Sequence, residues 1–344
     1  MTEIFTGNFT QQEPILDEAI AAAIAVMQHG RLHRYNEAAG EVAEAALLEQ
    51  EFAAQMGARY CLAVASGGYA LATALRALGV KPGDRVLTNA FTLAPVPGAI
   101  ASVGAVPVFV GVTEGLVIDL EDLAEKADQA DVLMLSHMRG HIVDMDALMD
   151  LAQAHDLKAI MLSGSYMLYG KHRAGPPIEA FEAVRLVTPN ISGRMDNLRA
   201  AILRPQLRQL EAQCKAWNDR YHRVDQGLAQ VAGLTRIKRP QQEKFVASSY
   251  QFLLLDWSSE AIRSVLARCL ARGVELKWFG APEPVGFTSR YDSWTYAPSS
   301  AMPKSDRILH GVMDMRLPLT FSLDDCATVA RIIAQEVSQE ARGA

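Results

Sequence analysis

A chain of 344 residues, half of them apolar, can bury a sizeable core and is long enough for two domains. Its 33 basic and 39 acidic residues give a net charge of −6 with no basic block or stripe, which argues against nucleic acid as a partner. The opening stretch, MTEIFTGNFTQQEPILDEAI, has neither the basic nor the apolar region of a signal peptide, and no apolar run is long enough to cross a membrane; a cytoplasmic protein with no membrane partner is expected.

In chain order, PILDEAIAAAIAVMQH (14–29) has apolar residues at helical spacing and stops at Gly30, a C-cap. RLHRYNEAAG follows as a polar loop, then EVAEAALLEQEFAAQMG as a helix ending at Gly57. YCLAVA reads as a short buried strand feeding the turn and helix of SGGYALATALRALG. DRVLTNA is a strand, PGAIASVG a short helix, PVFVGV a strand and DLEDLAEKA a helix capped by Asp119. DVLMLSHMRG is a strand running into a loop, and DMDALMDLAQAHD a helix capped by Asp144. Strands that read as buried on both faces alternate with helices, which predicts a mostly parallel α/β sheet flanked by helices.

Residues 194–231 form one amphipathic helical stretch with an expected kink at Pro205. Beyond Gly233, the strand SYQFLLLDW, the helix SSEAIRSVLARCLARG, the strand VELKWF and the terminal helix LDDCATVARIIAQEV predict a smaller α+β unit. The expected domains are therefore 1–232 and 233–344. A Pro- and aromatic-rich loop runs from Pro282 to Pro303; its Tyr291, Trp294 and Tyr296 read as loop packing as readily as a site. Cys61, Cys214, Cys269 and Cys326 form no CxxC pair and are expected to be reduced thiols.

Three strand ends carry residues suited to binding. Ser66, Gly67 and Gly68 open a helix directly after a strand, so backbone N–H groups there suit an anion such as a phosphate; the competing reading is a tight turn that needs glycine sterically. NAFTLAPVPGAI and LSHMRGHIVDMDAL, with Thr92 and His137, stand where parallel sheets bind ligands. His137 and His141 are four apart, but Gly140 breaks a helix between them and no third ligand is evident, so no metal is expected. No P-loop and no GxSxG elbow is present.

The ordered series of segments from LLEQEFAAQMGARYCLAVASGGYALATAL to PVPGAIASVGAVPVFVGV, then LSHMRGHIVDMDALMDLAQAHDLK, NISGRMDNLRAAILRPQLRQL and GVMDMRLPLTFSLDDC resembles the DegT/DnrJ/StrS sugar aminotransferases, fold-type I PLP enzymes, over about residues 15–335. The resemblance implies an α/β fold of that type, pyridoxal phosphate as cofactor and amino transfer to a keto sugar or similar small molecule. It implies cofactor contacts at Ser66, Gly67, Gly68, Thr92 and Arg194, and substrate contacts at His137 and in the loop His33, Arg34, Tyr35 and Asn36, which reads equally as a solvated connector. It also implies a homo- or heterodimer with an aminotransferase-like subunit, because the family builds its active site at a subunit interface.

The family further requires a lysine that forms a Schiff base with the cofactor and an aspartate beside the ring nitrogen. In HDLKAIMLSGSYMLYGKHR, where that block should begin, neither is found, so no residue is assigned a catalytic role. In one alignment LKAIMLSGSYMLYG is the Asp-bearing strand with Leu162 at the acid position. In the other, favoured by the spacing to Arg194, Ala159 already opens the helix that follows the lysine and everything between is lost. Gly68, Leu93 and Ser192 depart from the family's phosphate Thr, ring-stacking aromatic and neighbouring-subunit Asn. The sequence therefore reads as an aminotransferase scaffold inactive alone or, alternatively, a non-catalytic partner of an intact paralogue.

Overall fold

The computed structural model describes residues 3–160, 193–240, 246–285 and 289–343. The first sheet is parallel, with strand order β2-β1-β3-β4: Val106–Val110, Arg85–Asn89, Val132–Met134 and Lys158–Ile160. Its central strands alternate between two cores. Val86, Val132 and Met134 face Leu71, Leu75 and Ile100 of α3 (Gly67–Ala77) and α4 (Pro95–Ser102). Leu87 and Leu133 face Leu123 of α5 (Leu120–Lys126) and Leu148 and Ala152 of α6 (Met145–Ala154). This is the two-sided burial expected of a parallel sheet, and each such side chain contributes about 1.5–3 kcal/mol of gross burial. The caps follow the sequence: Asp119 accepts from the Glu121 N–H, and Asp144 from those of Asp146 and Ala147.

Before the sheet, α1 (Asp17–His29) ends at Gly30 in the left-handed conformation (φ 74°). Both α1 and α2 (Glu44–Gln55) pack on α7 (Asn197–Arg208), using Ala19, Ala23 and Val26 on α1 and Ala45 and Leu48 on α2. Pro205 lies inside α7, and a break at Gln209 separates that helix from α8 (Leu210–Gly227). The second sheet is antiparallel, in the order β5-β6-β8-β7: Thr235–Arg236, Ser249–Leu253, Val312–Arg316 and Lys277–Trp278. Helices α9 (Ser259–Ala271) and α10 (Leu323–Gly343) cover it, and Phe5, Phe9, Tyr221 and Val224 join that core. Phe91, Phe109, Leu253, Phe279, Trp294 and Val312 form a further core joining the two sheets.

Two expectations are corrected. YCLAVA is not a strand: Val64 makes one isolated bridge to Arg194, Tyr60 is 75% exposed, and Ala63 bonds to Met195 instead of a sheet neighbour. Lys158–Ile160 is not the start of a helix. It pairs in parallel register with Val132–Met134, and its first N–H donates to Asp131 O at 2.9 Å. The exposed backbone edge of β3 needs partners, and this short apolar run after α6 supplies them. That pairing supports the alignment in which the strand after α6 survives. Leu162, Lys171 and Ser192 lie outside the described residues.

Candidate functional site

At the amino end of α3, Ser66 is an extended N-cap whose Oγ accepts from the Tyr69 N–H at 3.2 Å. Neither Gly67 nor Gly68 has a positive φ, a Cβ on Gly67 would meet nothing within 4 Å, and one on Gly68 would lie 3.8 Å from Pro95 Cβ. Neither conformation nor packing demands glycine at these two positions. The backbone N–H groups at such a helix N-terminus are of the kind that suit an anion. Gly193 is required, because a Cβ there would sit 2.3 Å from the Tyr69 ring. That contact and the bond from Ala65 N–H to Gly193 O (2.6 Å) bring Arg194 to the same turn.

The 33–36 loop joins this cluster. The Arg194 guanidinium lies 5.8 Å from the centroid of the Tyr35 ring, and Tyr35 stacks on His33 at 5.3 Å. Buried Asn197 organises the loop: its Nδ2 donates to Arg31 O (3.0 Å) and His33 O (3.4 Å), its backbone N–H to Leu32 O, and its Oδ1 accepts from Ala45. Arg34 points inward and forms two 2.6 Å bonds with the Glu49 carboxylate, which also accepts from the Ala63 N–H at 2.7 Å. Its guanidinium therefore holds the scaffold, while His33 and Tyr35 face outward and Asn36 closes the turn through its N–H to His33 O. Asn197 and Glu49 were not anticipated; the "DN" of GRMDN, an N-cap followed by an amide, is the only local sign of the first.

Thr92 and His137 sit at the carboxyl ends of β1 and β3. Asn89 ties these ends together, donating to Phe91 O (2.7 Å) and Ser136 O (3.0 Å) and accepting from the Ser136 N–H (2.9 Å). Thr92 is buried, and its Oγ1 has no hydrogen-bond partner among the described residues. Burial lowers the His137 pKa, opposed by a hydrogen bond to the His141 backbone. His141 turns the other way, its Nε2 3.0 Å from Gln251 Oε1, and burial, with repulsion from Arg239, lowers its pKa to about 3. The two histidines thus serve different neighbours, and no metal-holding group of three or more side chains occurs among the described residues. Tyr291 and Trp294 are buried in the core between the sheets, and the Tyr296 hydroxyl donates to Ala94 O at 3.1 Å.

Pyridoxal phosphate needs both a cradle for its phosphate and an amine for its aldehyde. The Ser66–Gly68 turn fits a phosphate. No lysine occurs in the segments directly after β1, β2 or β3. Lys81 precedes β1 and Lys158 begins β4, both at the amino ends of strands. Lys126 is held by Asp122 and Phe109 O. Lys215, Lys238, Lys277 and Lys304 lie from α8 onward, and Lys171 and Lys244 are outside the described residues.

The profile of the DegT/DnrJ/EryC1/StrS aminotransferase family matches residues 15–161 and 172–334, so its discontinuity begins directly after β4. The erythromycin biosynthesis sensory transduction protein EryC1 of Saccharopolyspora erythraea is 29% identical over 301 residues, covering 73% of this chain and 79% of that protein. Several local matches span under a third of the relative's length. Among them, the spore coat polysaccharide biosynthesis protein SpsC of Bacillus subtilis is 40% identical over 111 residues, which is 32% of this chain and 28% of that protein. Among solved structures, 3-amino-5-hydroxybenzoic acid synthase superposes with a TM-score of 0.77 at 22% identity, covering 98% of this chain and 100% of that one. Helicobacter pylori PseC, an aminotransferase of pseudoaminic acid biosynthesis, gives 0.77 at 14% identity, covering 97% and 100%. The PLP form of Spr1654 from Streptococcus pneumoniae gives 0.75 at 15%, covering 97% and 100%. These structures share the fold, and the family match over most of the length shows that this chain belongs to the DegT/DnrJ/EryC1/StrS aminotransferases.

Proposed function

We propose that this chain is a sugar-type, PLP-dependent aminotransferase by scaffold that does not complete amino transfer alone, for want of the Schiff-base lysine and the ring-nitrogen aspartate. The observation that carries this reading is the lysine distribution: the segments that follow β1 and β3, where Thr92 and His137 lie, contain no lysine. In this account Ser66, Gly67 and Gly68 receive a phosphate, with Arg194, His33 and Tyr35 beside it and Thr92 and His137 at the sheet's end. The natural substrate class is a keto sugar with an amino-acid donor. Spectrophotometric titration with pyridoxal phosphate tests it. The expected spectrum is the sum of protein and free cofactor, and a protonated Schiff-base band contradicts the reading.

The second reading is a non-catalytic or regulatory subunit, dimeric with an intact aminotransferase-like chain. It is favoured by apolar side chains that α1 and α2 leave exposed, among them Ile20, Ile24, Met27, Phe52 and Met56. Co-expression with an intact family member, followed by sedimentation, is expected to give a stable heterodimer. Two separately sedimenting species contradict this reading and leave the first standing.

A further inference from the structure

A second constellation lies where the loop after β3 meets the second sheet. Arg139 is held in the left-handed region (φ 58°, ψ 21°), a conformation that costs a non-glycine residue free energy and persists only where its surroundings enforce it. The enforcement is visible. Arg239 donates to Gly140 O (2.8 Å) and Arg139 O (3.2 Å), and the Arg139 guanidinium forms an ion pair with Asp314 on β8. Asp314 is buried, and both its oxygens are engaged, one by Arg139 and one by Gln251 Nε2 at 2.7 Å.

Lys277 is the register partner of Asp314 on β7, and Arg316 stands near it. Burial lowers the Lys277 pKa; Asp314 opposes this, and repulsion from Arg139 and Arg316 adds to it. Two donors are also unspent among the described residues. The buried Arg139 Nε has no acceptor. Ser249, buried on β6, accepts from Gln251 Nε2 at 2.8 Å, which leaves its own hydroxyl proton to give. Both residues line a cavity of about 310 Å³ whose other wall is apolar, from Leu93, Met138 and Ile142. That volume is at the lower end for small-molecule sites, and an apolar pocket with a few convergent polar groups is their usual composition.

We propose that this cavity binds a small organic anion, its carboxylate or phosphate held by the Arg139 guanidinium and the Ser249 hydroxyl and its apolar body against Leu93, Met138 and Ile142. The planar guanidinium matches either head group. The site uses none of Ser66, Thr92, His137 or Arg194, and shares with the candidate cofactor site only Leu93, the position of the family's ring-stacking aromatic.

Isothermal titration of the full chain with benzoate, phenyl phosphate and the uncharged benzamide tests it. At least one anion is expected to saturate a single site, and the tighter of the two identifies the head group. In Arg139→Asn, which keeps a residue tolerant of the left-handed backbone, binding is expected to weaken about tenfold or more. Should that variant fail to fold because Asp314 is left uncompensated, the double variant R139N/D314N carries the same expectation. Equal binding of benzamide and benzoate, absence of binding by both anions, or undiminished binding in the substituted chain overturns the proposal.

Discussion

The interior of the first sheet and the 60–65 segment are built from similar sequence yet differ in what surrounds them. Leu87 on β1 and Leu133 on β3 are fully buried between helices on both faces. YCLAVA, as apolar on paper, has no strand neighbour among the described residues, and Cys61 and Val64 stay half-exposed. Its polar backbone is satisfied instead by Glu49, Gly193 and Met195. Apolar content makes a segment eligible for a sheet, but hydrogen-bonding neighbours decide whether it becomes a strand. The family profile breaks off just after β4.

This contrast can be pressed from both sides. Glu49→Gln is expected to have the largest effect, about 3–5 kcal/mol by denaturant unfolding, because it strands the buried Arg34 cation and loosens the 60–65 segment together. Leu133→Ala in the interior is expected to cost about 2–5 kcal/mol, whereas Val64→Ala in the 60–65 segment costs under about 1 kcal/mol. Equal losses at the two positions would erase the distinction. At the junction with the second sheet, His141 is kept neutral, with a pKa of about 3 against about 6.5 in the unfolded chain. Between those values the unfolded state binds the extra proton, so stability falls on acidification by up to about 1.4 kcal/mol per pH unit below pH 6.5. His141→Gln is expected to flatten that acid limb; an unchanged slope assigns it elsewhere. The smallest effect is expected for Gly67→Ala, within about 0.5 kcal/mol of the parent, since neither backbone nor neighbours oppose a methyl there.

The isolated chain as a whole is expected to melt early and broadly, since net stabilities of about 5–15 kcal/mol leave little margin for a parallel sheet with four strands among the described residues. A sharp, reversible transition by calorimetry contradicts this.

The regular part of the fold was legible because its signals are local. Alternating apolar strands and helices, the caps at Asp119 and Asp144 and the turn at Ser66 act within a few residues. What could not be read depends on distant partners. Lys158–Ile160 is three residues long and is a strand only because β3 lies beside it. VMDMR on β8 carries an aspartate in its middle, whose burial makes sense only with Gln251 and Arg139 from other elements. The roles of Asn197 and Glu49 rest on bonds to loops far away in sequence. For the site, the Ser66–Gly68 turn and Arg194 were foreseen and do come together, whereas the inward orientation of Arg34 followed from Glu49, fifteen residues on.

The central claim, that this family scaffold offers the cofactor no amine, is tested most directly by incubating the full chain with pyridoxal phosphate, reducing with borohydride and weighing the intact protein. The account expects an unchanged mass. A phosphopyridoxyl group added stoichiometrically to one lysine would contradict it.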